Sequence, residues 1–232
     1  MSNEPATIVL IHGAGAGRWC WEPMIPLLEA AGHAVIAPSL SGWTDRRTTL
    51  DDHIREARAL LEEHDLRDIV LVGHSYGGMV ITGLAEEVPE RIAQLVFLDA
   101  VYPRDGEASF DCLPELAAIL VPLAVDGLMP APAAQDMGVE DPQQIEFVRR
   151  HQLSIPLGCP LTPVRRSAAQ DAIPRSYVLA TRSGMDAMAE RARGEGVPCY
   201  EIDATHMLTI TAPAETAALL LRLAVGGAAP GS

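Results

Sequence analysis

Short apolar runs alternate with helix-period patterns along most of the chain. The apolar runs are rich in β-branched residues and cover positions 7–11, 34–37, 69–72, 95–98, 177–180 and 197–202. The helical patterns between them cover positions 21–31, 50–64, 79–87, 185–193 and 213–223. Strands that alternate with helices form βαβ units, in which the strands are parallel and helices cover both faces of the sheet. The pattern therefore predicts an α/β fold with a mostly parallel six-stranded sheet.

One segment, 103–174, interrupts this alternation. It is rich in proline, contains no strand-like run, and shows helical periodicity mainly at 113–123 and 142–152. Connections of this length inside compact domains are usually functional, as lids are. We therefore expect a core formed by 1–102 and 175–232, with 103–174 inserted into it as a small helical cap.

Composition narrows the range of partners. The formal charge is −14, and all 17 basic residues are arginine. Nucleic-acid binding depends on basic patches, so we expect no nucleic-acid partner, and the lack of lysine removes every lysine-based mechanism. No signal peptide or membrane span is recognisable, and the four cysteines lack metal-ligand spacing. We expect a cytoplasmic protein with reduced thiols, no metal and no membrane partner. Its oligomeric state stays open, with a homodimer as one option.

The sequence GHSYGG at positions 73–78 lies directly between a buried strand and a helix. A nucleophile on a sharp strand-to-helix turn has a strained backbone, so the residues two before and two after it must be small. The start of the helix also favours negative charge that develops there. The pattern predicts that Ser75 is a nucleophile, the alternative being an ordinary glycine-rich turn with a surface serine.

A second small-residue loop, HGAGAG at positions 12–17, follows the first strand. Such a loop lets backbone N–H groups approach a substrate oxygen and stabilise the oxyanion of a tetrahedral intermediate. We expect the N–H groups of Ala14 and Tyr76 to form this oxyanion hole. A phosphate-binding loop is the competing interpretation, but the glycine spacing does not match one and there is no lysine.

Among the seven histidines, His206 has the position of a catalytic base. It follows the last predicted strand and precedes the final helix. In folds with a nucleophile on such a strand-to-helix turn, the catalytic residues follow the order nucleophile, acid, histidine along the chain. His12 and His74 belong to the two glycine turns and are expected to orient loops. The other histidines lie in helical or edge contexts, where a solvated or satisfied structural role is expected.

Together, HGA at 12–14, CW at 20–21, GHSYGG at 73–78, LDA at 98–100 and His206 resemble one branch of the α/β-hydrolase superfamily. This branch contains the methylesterases and hydroxynitrile lyases, including plant methylesterases and small bacterial esterases. The resemblance extends over nearly the whole chain and is weakest in the cap. It implies acyl chemistry without a cofactor, at a Ser-His-Asp triad beneath a helical cap, on a small-molecule ester.

The sequence departs from this branch at the acidic member of the triad. In the branch, this residue usually lies in the loop after the strand that corresponds to 177–180 here. That loop is short here and has Ser183 where an aspartate is expected. A neutral imidazole needs a partner on Nδ1 to fix its tautomer. Asp99 is favoured because it ends the strand that follows the nucleophile strand, as the acid does in pancreatic-type lipases. Asp186, Asp203 and a dyad without a carboxylate remain alternatives.

The substrate pocket is the least determined part of the site. We expect it to hold small or medium apolar groups. Its expected lining consists of Trp19, Tyr102, Phe110, Leu128 and Met207, with Met129 and Phe147 as further candidates from the cap.

These features favour a carboxylic-ester hydrolase that uses Ser75, His206 and Asp99. A lactone or thioester hydrolase, or a cyclase of a biosynthetic pathway, could use the same scaffold. A hydroxynitrile lyase of the resembled branch is expected to carry a lysine in the cap, and this chain has none. A non-catalytic binding protein is the remaining alternative, and intact Ser75 and His206 argue against it.

Overall fold

The structure is a computed structural model that describes residues 5–224. Its strands are β1 (Thr7–Ile11), β2 (Ala34–Ile36), β3 (Ile69–His74), β4 (Ile92–Leu98), β5 (Leu128–Met129), β6 (Ile155–Pro156), β7 (Arg175–Ala180) and β8 (Cys199–Ile202). Six of them form one sheet in the order β2-β1-β3-β4-β7-β8. All neighbouring strands in this sheet are parallel. The predicted fold class is confirmed.

Helices connect and cover these strands. They are α1 (Ile25–Ala30), α2 (Leu50–Glu63), α3 (Gly77–Glu87), α4 (Ser109–Cys112), α5 (Pro114–Leu120), α6 (Pro142–His151), α7 (Gly158–Leu161), α8 (Asp186–Gly194), α9 (Leu208–Thr211) and α10 (Pro213–Ala224). Four short 3₁₀ helices occur among the described residues, at Arg18–Trp21, Pro89–Arg91, Val121–Leu123 and Ala168–Gln170. Within the described range, no helix is both long enough and apolar enough to cross a bilayer.

The inner strand β1, next to the edge strand β2, shows how the two faces of the sheet are filled. Its side chains alternate, because successive residues of a strand point to opposite faces. Val9 and Ile11 pack into the apolar cluster that contains the buried residues of α2, α3 and α8. Ile8 and Leu10 pack into the second cluster, with α1 and α10. A continuous apolar run is therefore required here, and alternation of polar and apolar residues would leave one face without a core.

Parallel pairing brings the carboxyl ends of the central strands to one edge of the sheet. Ile11 of β1 is in register with Gly73 of β3, and His74 is in register with Leu98 of β4. Leu98 is in turn in register with Val178 of β7. The loops that follow these strands carry the sequence-predicted site residues, so the topology places them side by side.

The segment 103–174 contributes no strand to the six-stranded sheet. The main helix in it, α6, begins with Asp141, whose carboxylate accepts hydrogen bonds from the N–H groups of Gln143 and Gln144, and with Pro142 in the first turn. Both features stabilise helix starts. The expectation that this segment lacks strands is wrong at one point, since β5 and β6 pair antiparallel. Strands of two residues are too short to produce a sequence pattern.

Candidate active site

The turn that carries Ser75 is strained and closely packed. Ser75 has a φ of 55°, a left-handed conformation that side chains other than glycine rarely adopt. A Cβ on Gly73 would lie 2.5 Å from the carbonyl oxygen of Gly77, and a Cβ on Gly77 would lie 2.5 Å from that of Ile11. Both positions therefore require glycine, and the close packing holds Ser75 between β3 and α3.

Ser75 and His206 are hydrogen-bonded although 131 residues separate them. The His206 Nε2 atom lies 2.9 Å from the Ser75 Oγ atom. The Nδ1 atom of His206 lies 2.6 Å from Oδ2 of Asp99. Since a carboxylate only accepts hydrogen bonds, Nδ1 carries the proton and Nε2 accepts the Ser75 hydroxyl proton. This is the arrangement in which an imidazole acts as a general base.

Asp99 is completely buried, and its second carboxylate oxygen is also bound. Oδ1 accepts hydrogen bonds from the Ala180 N–H at 3.0 Å and from the Ser183 hydroxyl at 2.8 Å. Asp99 itself has a φ of 47°, a conformation in which Asp and Asn are among the more tolerated residues. The carboxylate is therefore fixed by contacts from three separate residues.

The other two candidate acids lie away from His206. Asp203 is paired with Arg182 at 2.9 Å on the surface, where 86% of its side chain is exposed. Asp186 is exposed at the start of α8. Of the three carboxylates considered from the sequence, the structure brings only Asp99 to the imidazole.

The expected oxyanion donors also lie beside Ser75. A Cβ on Gly13 would be 3.0 Å from Cβ of Ser75, so the loop 12–17 passes directly against Ser75. Ala14 and Tyr76 both line the cavity at Ser75. Among the described residues, neither backbone N–H donates a hydrogen bond to a protein acceptor. Both groups are therefore available to a substrate oxygen.

The phenol hydroxyl of Tyr76 is hydrogen-bonded to the side chain of His53. The Nε2 atom of His53 lies 2.9 Å from the carbonyl oxygen of Ser41, so this nitrogen carries the proton. Nδ1 of His53 then accepts the Tyr76 hydroxyl proton at 3.0 Å. Burial raises the pKa of Tyr76 and lowers the pKa of His53, so both side chains stay neutral. This pair of neutral groups fixes Tyr76, whose backbone N–H is one of the two expected oxyanion donors.

His74 holds the loop that carries His206. Its Nε2 lies 2.9 Å from the backbone carbonyl oxygen of His206, to which it donates a hydrogen bond, and the two rings lie 4.9 Å apart. Burial, followed by the proximity of His206, lowers the pKa of His74 to about 3. His12 is arranged similarly: Nδ1 donates to the Gly13 carbonyl oxygen at 2.8 Å, and Nε2 accepts from the Leu40 N–H at 2.9 Å.

A family model described as "Alpha/beta hydrolase family" matches residues 8–219. The chain belongs to the α/β-hydrolase family. This confirms the family resemblance seen in the sequence.

Curated relatives of this α/β-hydrolase include several esterases. It is 42% identical over 116 residues to a carbendazim hydrolyzing esterase of Nocardioides sp. (strain SG-4G), and the aligned segment covers 47% of this chain and 48% of the relative. It is 42% identical over 108 residues to the salicylic acid-binding protein 2 of Nicotiana tabacum, and that aligned segment covers 44% of this chain and 42% of the relative. The chain therefore matches about half or less of the length of these relatives.

Solved structures extend the likeness to the whole fold. An extracellular α/β-hydrolase from a Paenibacillus species superposes with a TM-score of 0.82 at 24% identity, covering 96% of this chain and 99% of the other. A polyneuridine aldehyde esterase mutant superposes with a TM-score of 0.78 at 21% identity, covering 95% and 99%. Because both identities are below 25%, these structures show that the fold is shared and nothing beyond the fold.

The cavity of this α/β-hydrolase at Ser75 measures about 990 Å³. Its lining is mainly apolar and includes five of the eight methionines, namely Met129, Met137, Met185, Met188 and Met207. Methionine is unbranched and polarisable, and therefore adapts to differently shaped apolar groups. Carboxylates also line it, at Asp111, Glu115 and Asp136. The only arginine among the described lining residues, Arg191, is paired with Glu107.

Three of the five expected pocket residues line this cavity: Trp19, Phe110 and Met207. The indole of Trp19 also packs edge-on against Phe147, with ring centroids 5.6 Å apart. Phe147 thus packs against the lining residue Trp19 and does not itself line the cavity.

The expectation fails for Tyr102 and Leu128. The Tyr102 hydroxyl donates to Glu195 at 2.8 Å and accepts from Arg166 at 3.2 Å, so its polar end is directed to an ion pair outside the cavity. Leu128 does not line the cavity, whereas its neighbour Met129 does. Adjacent residues of a strand face opposite sides, and Leu128 has the outward position in β5.

Two residues near the site were not recognised from the sequence. Ser183 was treated only as a missing aspartate, yet its hydroxyl binds Asp99. His53 was assigned an ordinary role, yet it anchors Tyr76. The available signal for His53 was its place on the buried stripe of α2, together with Leu50 and Ala57.

Proposed function

We propose that this α/β-hydrolase is a serine esterase that cleaves carboxylic esters through an acyl-enzyme on Ser75. The observation that carries the proposal is the hydrogen-bonded chain from Ser75 through His206 to Asp99, beside two unengaged backbone N–H groups. Esterases among the curated relatives support the same chemistry. The activity, the substrate and the residue roles together form the proposal.

In the acylation step, Nε2 of His206 takes the hydroxyl proton as Oγ of Ser75 attacks the ester carbonyl carbon. The oxyanion that forms accepts hydrogen bonds from the N–H groups of Ala14 and Tyr76. Asp99 stabilises the imidazolium. The C–O bond then breaks, and His206 returns the proton to the departing alkoxide, which leaves as an alcohol.

Deacylation repeats the sequence with water as the nucleophile. His206 takes a proton from water, and the hydroxide oxygen attacks the acyl carbon. The bond to Ser75 breaks, and the proton returns to Oγ. The products are a carboxylic acid and the free enzyme, so no external oxidant, reductant or cofactor is needed.

The cavity supports a neutral ester with small or medium apolar groups as substrate. Its lining is mainly apolar, and the carboxylates of Asp111, Glu115 and Asp136 disfavour a substrate with an additional negative charge. Arg191 does not compensate for them, because its charge is already paired with Glu107.

A fluorophosphonate probe tests the nucleophile directly. We expect one covalent adduct at Ser75 by peptide mass spectrometry, and no adduct in the Ser75→Ala variant. Wild-type protein should hydrolyse short p-nitrophenyl esters, and Ser75→Ala should lose about 10³-fold or more in kcat.

Two outcomes would reject the proposal in different ways. A wild-type protein that binds ester analogues but neither reacts with the probe nor turns over esters is a binding protein. A protein that reacts with the probe but turns over only lactones, thioesters or cyanohydrins uses the same site for a different reaction.

A further inference from the structure

Ser183 lies in the loop after β7, half-buried, and contacts Asp99. Its hydroxyl has one proton to donate and lone pairs to accept. The N–H of Met185 donates to Oγ of Ser183 at 3.2 Å. The hydroxyl proton is therefore directed to the remaining neighbour, Oδ1 of Asp99, at 2.8 Å.

This contact determines which carboxylate oxygen faces the base. Rotation about the Cβ–Cγ bond of an aspartate is soft and roughly two-fold. Oδ1 of Asp99 is held by Ser183 and by the Ala180 N–H, whereas Oδ2 is 2.6 Å from Nδ1 of His206. The two donors on one oxygen leave the other oxygen aligned with the imidazole.

We infer that Ser183 is a positioning residue for the catalytic acid. It acts through Asp99 and does not contact the reacting atoms. The inference rests on the proposed esterase reaction, because only then does the orientation of Asp99 affect turnover. Loss of the Ser183 hydroxyl removes one of the two bonds on Oδ1 and lets the carboxylate rotate away from Nδ1.

A purely structural role is the alternative, since Ser183 also binds the N–H of Met185 at the start of α8. Ser167 provides a matched control with the same pair of contacts. Its Oγ donates to Glu86 at 2.9 Å and accepts from the Ala169 N–H at 3.2 Å. None of these contacts involves Ser75, His206 or Asp99, so Ser167→Ala removes a hydroxyl bond to a carboxylate and a bond from a backbone N–H, at an exposed position, without affecting the proposed triad.

The experiment compares Ser183→Ala, Ser183→Thr and Ser167→Ala with the wild type. For Ser183→Ala we expect kcat on p-nitrophenyl esters to fall about tenfold with KM nearly unchanged, as for loss of one hydrogen bond to a charged group. The low-field proton NMR signal of the His206 Nδ1–H should shift or broaden. Ser183→Thr keeps the hydroxyl and should recover most of the kcat. Ser167→Ala should keep kcat and the NMR signal.

The inference is overturned if Ser183→Ala keeps wild-type kcat and an unchanged low-field signal, or if Ser183→Thr loses as much kcat as Ser183→Ala. A Ser183→Ala variant that differs from the wild type only in thermal midpoint would show a structural role. Ser75→Ala separates this failure from failure of the proposed function. If Ser75→Ala is inactive while Ser183→Ala is fully active, only the role of Ser183 is rejected. If Ser75→Ala is active, the esterase mechanism itself is rejected.

Discussion

Asp99 and His206 are 107 residues apart in sequence, yet Oδ2 of Asp99 lies 2.6 Å from Nδ1 of His206. Asp99 follows β4, the strand next to β3, which leads into Ser75, whereas His206 follows the edge strand β8. The carboxylate therefore reaches the imidazole from the strand adjacent to the one that leads into Ser75. The loop after β7, which lies between them, supplies a hydroxyl to support the carboxylate.

Asp99→Asn should lower kcat by about 10³-fold or more, because an amide cannot hold the required tautomer or stabilise the imidazolium. Asparagine is among the residues that tolerate the φ of 47° found here, so the fold should persist by circular dichroism. Asp203→Asn is the control, since Asp203 is exposed and paired only with Arg182. Near-normal turnover by Asp99→Asn would assign the acid elsewhere.

A carboxylate at position 183 should partly replace Asp99. Oγ of Ser183 is 2.8 Å from the Asp99 carboxylate, and an aspartate side chain extends one bond further. Glycine at position 99 makes room and accepts the positive φ. We expect the kcat of the double variant Asp99→Gly/Ser183→Asp to be about tenfold or more above that of Asp99→Gly. A gain of this size is typical of one charge-assisted hydrogen bond. Equal kcat values in two folded variants would refute this.

Gly77→Ala should disrupt the turn that carries Ser75. Its Cβ would lie 2.5 Å from the carbonyl oxygen of Ile11, so either β1 or the turn must shift. We expect kcat to fall about 10²-fold or more, since small displacements of a catalytic group cost this much. Gly194→Ala is the matched control, because nothing lies within 4 Å of the added Cβ at the end of α8. Comparable kcat in both variants would show that the turn tolerates a side chain.

The hydrogen bond between Tyr76 and His53 should contribute to stability. Tyr76→Phe removes the hydroxyl donor to the buried Nδ1 of His53 and leaves only the Cys159 thiol, a weak donor at 4.0 Å, beside it. The expected cost is about 1–3 kcal/mol. A double-mutant cycle with His53→Phe, measured by urea unfolding, should give a coupling energy of about 1 kcal/mol between the two positions. Strictly additive effects would mean that the bond contributes nothing measurable.

Acidification should destabilise the fold in part through His74. Its folded-state pKa is lowered to about 3, whereas in an unfolded chain a histidine titrates near 6.5. The unfolded state therefore binds more protons below about pH 6.5, and stability falls as the pH decreases toward 3. For this group the loss between pH 6.5 and 5.5 is about 1 kcal/mol.

His74→Gln keeps a donor for the His206 carbonyl but removes the titration. Its unfolding free energy, measured in urea, should therefore fall less than that of the wild type over this pH interval. His64→Gln changes an exposed histidine and serves as the control. Parallel pH curves for wild type and His74→Gln would contradict the assignment of a neutral, buried His74.

The sequence by itself determined the α/β fold, because six apolar runs between helical patterns can bury both faces of a sheet in few other ways. It also identified the turns that carry Ser75 and Ala14, since the small residues that such turns require are contiguous. The place of His206 after the last strand marked it as the candidate base. All these features are local in sequence.

Only the tertiary structure decided which carboxylate faces His206. Asp99, Asp186 and Asp203 were all candidates along the chain, and strand order and register place Asp99 beside the imidazole while leaving the other two exposed. The same holds for Ser183 and His53, whose partners lie 84 and 23 residues away. The lining of the cavity was likewise decided by side-chain direction, which excluded Tyr102 and Leu128. Contacts between distant residues depend on how strands pair and which face each side chain takes, and neither is encoded in a local pattern.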